Sequence, residues 1–213
     1  IVFRNLYELE LSEKFLKSAS EITDNELLNT LVLKETGVVK FLKSEYNAAK
    51  DSFNKAFAFF KTRKLEADMA LVLVNLSSVY IKLKKKNDAE KNMKNASEIA
   101  EKLNLYLIKG AVLVNEAEFE LKENKFKEAI EKYQNAIENY NKAKYTLGII
   151  RVKYLIGIAN ILNEKPEDAI KELLSVIKMA ETFRLDRTLA WARYNIYVSY
   201  YMLKNKEQCL NYL

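Results

Sequence analysis

The chain has 213 residues and a net charge of +6, and its 49% apolar content is enough for a sizeable core and too high for general disorder. Four glycines and one proline are too few for the turns of a β-sandwich, a barrel or a Rossmann sheet. The absence of histidine and the single cysteine remove the commonest general base, the commonest metal ligand, any internal disulfide and any cysteine-based zinc site.

The chain starts at Ile1, and Ile1-Val2-Phe3-Arg4 has no signal-peptide layout. No window holds ~18 uninterrupted apolar residues. The most apolar segment, Leu147 to Leu162, is broken by Arg151 and Lys153, so no membrane partner is expected and the expected location is the cytoplasm. The densest basic run, Lys82-Leu83-Lys84-Lys85-Lys86, falls at a predicted turn, and elsewhere Lys and Glu interleave. Such mixing is the pattern of a solvated helix face, so nucleic acid is not the expected partner.

In chain order, residues 1–20 come first as a predicted helix with Leu6, Leu9, Phe15, Leu16 and Ala19 on its apolar stripe. From residue 30 the chain repeats every 40 residues without a gap. Ala49, Ala89, Ala129 and Ala169 share a column, with Cys209 in fifth place as a small packed residue. Four residues on stand Phe53, Met93, Tyr133, Leu173 and Leu213, and three further Ala56, Ala96, Ala136 and Val176. Gly37, Ser77, Ala117 and Gly157 form a small-residue column, and Leu65, Leu105, Tyr145 and Leu185 a turn column.

Each period predicts two helices. In the third, Leu107 to Glu123 carries Val112, Val114, Ala117, Phe119 and Leu121, and Phe126 to Tyr140 carries a stripe at helical spacing. Lys122 to Lys125 is the polar turn between them. Pro166 suits a first helical position, and Asn124, Asn163 and Asn205 suit helix ends. The small column on the first helix is expected to face the alanine column on the second, where helices approach to ~8 Å, with the large column filling the space towards the neighbouring repeat. One hairpin cannot bury its own stripe, so the pairs must stack. The expected fold is all-α, a right-handed superhelical solenoid of antiparallel helix pairs with about five repeats. It is read as one solenoid: the second helix of an incomplete repeat at 1–22, full repeats at 30–69, 70–109, 110–149 and 150–189, and an incomplete one at 190–213. The ends read as cut from a longer array.

The small residue on the first helix and Ala-x3-aromatic on the second resemble tetratricopeptide repeats (TPR). Leu73-x2-Leu76-Ser77-x2-Tyr80 followed by Ala89-x3-Met93 matches best. The family's tryptophan position holds Leu33, Leu73, Leu113, Lys153 and Arg193, its tyrosine position holds Lys40, Glu120 and Asn160 in three units, and its terminal proline is absent. The period is 40 rather than the common 34, so the chain is similar to the longer-helix variety of kinesin light chains, Rap and PlcR-like regulators and MalT-like activators. HEAT and armadillo repeats share the longer period, but the Ala-x3-Phe/Tyr column favours TPR.

The resemblance implies a concave groove lined by first helices that holds a protein or peptide ligand. Asn75, Asn115 and Asn195 stand at one groove position, and an amide can clamp both sides of a peptide unit. Tyr154 and Tyr194 share a second position, and Arg151 and Trp191 a third, as candidates for side-chain selectivity. Packing against neighbouring helices is the alternative for Trp191. Glu116 and Glu120 are expected to pair with lysines of adjacent elements. No catalytic residue, metal ligand or cofactor site is legible. The expected function is a peptide-binding regulatory module of a larger protein. Self-association through an exposed helix face is the alternative.

Overall fold

The computed structural model of the chain describes residues 2–22 and 24–212, with side chains for 8–22 and 24–212. The expected packing residue Leu6 and the column end Leu213 lie outside the described side chains. All regular structure among the described residues is α-helical. Two compact units divide the chain, Ile1–Ile108 and Lys109–Leu213. The first holds α1 (Val2–Ile22), α2 (Glu26–Leu42), α3 (Tyr46–Thr62), α4 (Glu66–Lys82) and α5 (Lys86–Lys102). Helix α6 (Tyr106–Lys122) starts at its end and runs into the second unit. Next come α7 (Phe126–Lys142), α8 (Thr146–Leu162), α9 (Pro166–Thr182), α10 (Asp186–Met202) and the short α11 (Lys206–Leu210). In the first unit each helix from α1 to α4 packs on the next, and α2 also touches α4. In the second, each helix from α7 to α10 packs on the next, and α8 touches α10.

The backbone has a shorter period than the sequence. Helices α2 to α10 are each 17 residues long, and their starts step evenly by 20. Every turn between consecutive helices from α2 to α11 puts one non-glycine residue in the left-handed region: Ser44, Lys64, Lys84, Asn104, Asn124, Lys144, Glu164, Arg184 and Lys204, with φ between 53° and 65°. The hydrogen bonds are those of a Schellman motif. Leu65 N–H donates to Phe60 O at 2.9 Å, and Lys64 N–H to Lys61 O at 3.2 Å. The same two bonds close the turn at Tyr145 and at Leu185. The turn column therefore has a physical reason: Leu65, Leu105, Tyr145 and Leu185 come directly after the left-handed residue, where an apolar side chain packs back on the helix it ends. Turns from first to second helix carry polar Glu45, Lys85, Lys125, Lys165 and Asn205 there instead. This alternation makes a 20-residue backbone period read as 40 in sequence.

Pro166 is the first residue of α9, as expected. Asn124 takes the left-handed position, while Asn205 caps α11 by accepting from Gln208 N–H at 3.1 Å. Asn163 ends α8 with φ of −87°, and the left-handed residue is Glu164.

The alanine and large-residue columns form the core. In the first unit Ala49, Phe53, Ala56 and Phe60 of α3 pack against Val72, Leu76 and Val79 of α4. In the second, one cluster joins Val114, Ala129, Tyr133 and Val152, and another joins Ile150, Leu173, Val176 and Ile196. At Gly37 and Gly157 the small column faces the second helix, and the nearest residue there is the large one. A Cβ on Gly37 would stand 2.7 Å from the Phe53 ring, and one on Gly157 2.7 Å from Leu173. Glycine there makes room for the large residue of its own second helix, which periodicity alone directs towards the neighbouring repeat. On α1, Leu9, Leu16 and Ala19 are half-buried, but Phe15 does not join them and points outward. Glu13 anchors the helix by accepting from Lys43 Nζ at 2.8 Å.

Candidate functional site

A first helix has one face towards its second helix and one turned away. In the second unit the outward stripe runs Arg151, Leu155, Ile158, Leu162 on α8 and Trp191, Asn195, Val198, Met202 on α10, at the spacing of one helical face. All eight are exposed or half-buried. Since α8 and α10 touch, the two stripes lie side by side.

One bond joins them. Asn195 Nδ2 donates to the Tyr154 hydroxyl at 3.2 Å and to its own-helix carbonyl, Trp191 O, at 2.8 Å. Both amide hydrogens are thereby used within the protein, which leaves the amide oxygen as the group that can accept. The Tyr154 hydroxyl accepts from Asn195, so its own proton serves as a donor. Burial raises the Tyr154 pKa above the ordinary tyrosine value, and the Asn195 bond partly opposes it, so the hydroxyl keeps its proton at neutral pH. The pair thus sets one donor beside one acceptor, the complement of a peptide C=O and N–H. Trp191, 46% exposed, meets Tyr194 edge-on with centroids 6.3 Å apart. The Arg151 guanidinium lies 3.7 Å from a Glu118 carboxylate oxygen of α6.

The three amides do not present alike. Asn195 is half-buried, Asn75 on α4 is half-buried in the first unit, and Asn115 on α6 is buried. Tyr194 turns away from Asn195 and stacks near Tyr197, centroids 6.5 Å apart. It lines an open cleft of ≈ 830 Å³ between α9, α10 and α11, with Leu174, Ile177, Arg193 and Tyr212. Sequence reasoning missed this cleft. A signal was available: Tyr197 occupies the column that holds Gly37, Ser77, Ala117 and Gly157 in the other repeats.

The acidic pair is accounted for by lysines. Glu116 accepts from Lys132 Nζ at 2.8 Å, and Glu120 meets Lys125 Nζ at 3.3 Å. No group of three or more metal-ligating side chains occurs among the described residues. Cys209 is buried, as its column implies. No described helix is long and apolar enough to cross a membrane.

No protein-family model matches the chain, and no curated protein matches it by sequence. Solved structures do match. A Signal Transduction ATPase with Numerous Domains with a tetratricopeptide repeat sensor, from Pyrococcus horikoshii, superposes with a TM-score of 0.77 at 18% identity. That match covers 99% of this chain and 33% of the other, so the chain spans a third of that protein's length. A Rap protein complexed with Competence and Sporulation Factor gives a TM-score of 0.78 at 16% identity over 93% of this chain and 56% of that one. Kinesin light chain TPR-like repeats from Podosopora anserina give 0.64 at 13% identity, over 89% and 93%. The fold is that of a tetratricopeptide-repeat solenoid built from antiparallel helix pairs.

Proposed function

We propose that the chain is a non-catalytic peptide-recognition module, the regulatory part of a larger cytoplasmic protein. An extended segment lies across the outward face of α8 and α10. Tyr154 donates to a peptide carbonyl and Asn195 accepts from a peptide N–H, while Leu155, Ile158, Val198 and Trp191 bury its apolar side chains. Within the first unit Asn75 offers an amide of the same kind on α4, and Asn115 on α6 is the third amide of the row. Arg151 and Tyr194 flank it and bias the choice of sequence. The observation that carries this reading is the Asn195–Tyr154 bond, which holds an amide and a hydroxyl together on a face that is apolar apart from Arg151. An amide and a hydroxyl already fixed in place lose little entropy on binding. The likeness to a protein with a tetratricopeptide repeat sensor and to a Rap protein complexed with Competence and Sporulation Factor supports the reading.

A display selection of random peptides on the wild-type chain tests it. Selected peptides are expected to bind Asn195→Ala and Tyr154→Phe at least about tenfold more weakly, one lost hydrogen bond each in a desolvated site. Selected peptides that bind both variants as they bind wild type contradict the proposal.

A further inference from the structure

Helix α1 differs from every other second helix on its outward face. Stepping by 40 from residue 11 gives Asp51, Lys91, Glu131 and Lys171; from residue 15, Lys55, Asn95, Asn135 and Ser175; from residue 22, Thr62, Lys102, Lys142 and Thr182. All of these are polar. The same columns on α1 hold Leu11, Phe15 and Ile22, with exposures of 38%, 66% and 84%. Ser18, also exposed, lies on the same line. Steps of four, three and four residues are those of a two-helix coiled-coil seam. Side chains of this size, aligned on one stripe in water, mark a surface that another element covers.

The charges beside the seam identify that element. Lys14 and Glu21 both flank it on the same edge, and both are exposed. When two copies of the stripe lie antiparallel, Leu11 meets Ile22, Phe15 meets Ser18, and like edges meet each other. Lys14 of one copy then faces Glu21 of the second, and the two-fold axis repeats the pair. In a parallel arrangement Lys14 would face Ala19, with no charge to meet. The edge is therefore complementary to itself in the antiparallel sense only. We propose that α1 is a self-association helix through which two copies of the chain pair antiparallel, sealed by Leu11, Phe15 and Ile22 and set in register by Lys14 and Glu21.

Sedimentation equilibrium of the full chain across a concentration series tests the proposal. The average mass is expected to climb from 24.8 kDa towards twice that value. Phe15→Asp should weaken association at least about tenfold while leaving the helical circular dichroism unchanged, since this side chain contributes little to the core. Lys14→Glu and Glu21→Lys should each weaken it about fivefold, and the double exchange should restore it. A mass of 24.8 kDa at every concentration overturns the proposal, as does association that ignores Phe15→Asp. Failure of the double exchange to restore what either single exchange loses overturns the antiparallel pairing.

Discussion

Helices α4 and α10 occupy the same place in the repeat, yet their matching columns live in different environments. Val74 is 6% exposed and Tyr194, one step of 120 residues away, is 55% exposed. Ala70 is fully buried and Ala190 is exposed; Ser77 is fully buried and Tyr197 is half-buried. The two helices also differ in the helix that follows each. Seventeen residues of α5 cover α4, whereas α11 covers α10 with five. In the Val74 column, Val74 and Val114 stand where it is buried, and Tyr154 and Tyr194 where it is partly or well exposed. Aromatic rings with a polar tip suit a surface that is half wet.

The sharpest way to break this contrast is to put the same charge at both places. Val74→Asp leaves an unpaired carboxylate in the first unit's core and should cost about 3–5 kcal/mol of stability, measured by chemical denaturation. Tyr194→Asp should change stability by under about 0.5 kcal/mol. Similar losses at the two sites would show that α10 is covered as α4 is.

Alkaline pH acts on covered tyrosines in the same sense. Burial pushes the Tyr140 hydroxyl up to about 12, with Arg151 partly opposing and Tyr145 adding to the rise, and burial raises Tyr133 as well. In the unfolded chain a tyrosine ionises near pH 10. The folded state keeps its proton longer, so the stability is fully present below pH ~10 and is lost as pH rises through the folded value. Tyr140 alone should cost on the order of 2 kcal/mol by pH ~12. Thermal melts between pH ~9 and ~11.5 should show the decline, and Tyr140→Phe should reduce it, with Tyr133 carrying the remainder.

The smallest effect concerns the turns. Glu164 sits at φ 55° and Asn124 at φ 58°. A side chain in the left-handed region costs about 1–2 kcal/mol, less for asparagine. Glu164→Gly should therefore raise stability by about 0.5–1 kcal/mol, and Asn124→Gly by less, in the same denaturation assay.

These turns also mark what the sequence could and could not reveal. The 40-residue columns disclosed the helix pairs and the core because packing needs alanines and large residues at fixed places. The even 20-residue step of the backbone stayed hidden, since Lys64, Glu164 and Arg184 give no sign of a left-handed residue. Gly37 and Gly157 were legible as a small column, but the partner each accommodates, Phe53 or Leu173, depends on side-chain direction across two helices. The asparagine position was legible as a row, whereas burial separates Asn115 from Asn75 and Asn195. The bond from Asn195 to Tyr154 joins residues 41 apart and rests on the contact of α8 with α10, which no local pattern encodes.

The second unit offers a ligand two surfaces, the outward face of α8 and α10 and the cleft lined by Leu174 and Tyr212. Photo-crosslinking of a display-selected peptide separates them most directly. A photoreactive residue is placed in turn at Ile158, Val198, Leu174 and Tyr212, and the covalent adducts are mapped by mass spectrometry. The account predicts adducts from Ile158 and Val198 and none from Leu174 or Tyr212. Adducts confined to Leu174 and Tyr212 would contradict it and move recognition into the cleft.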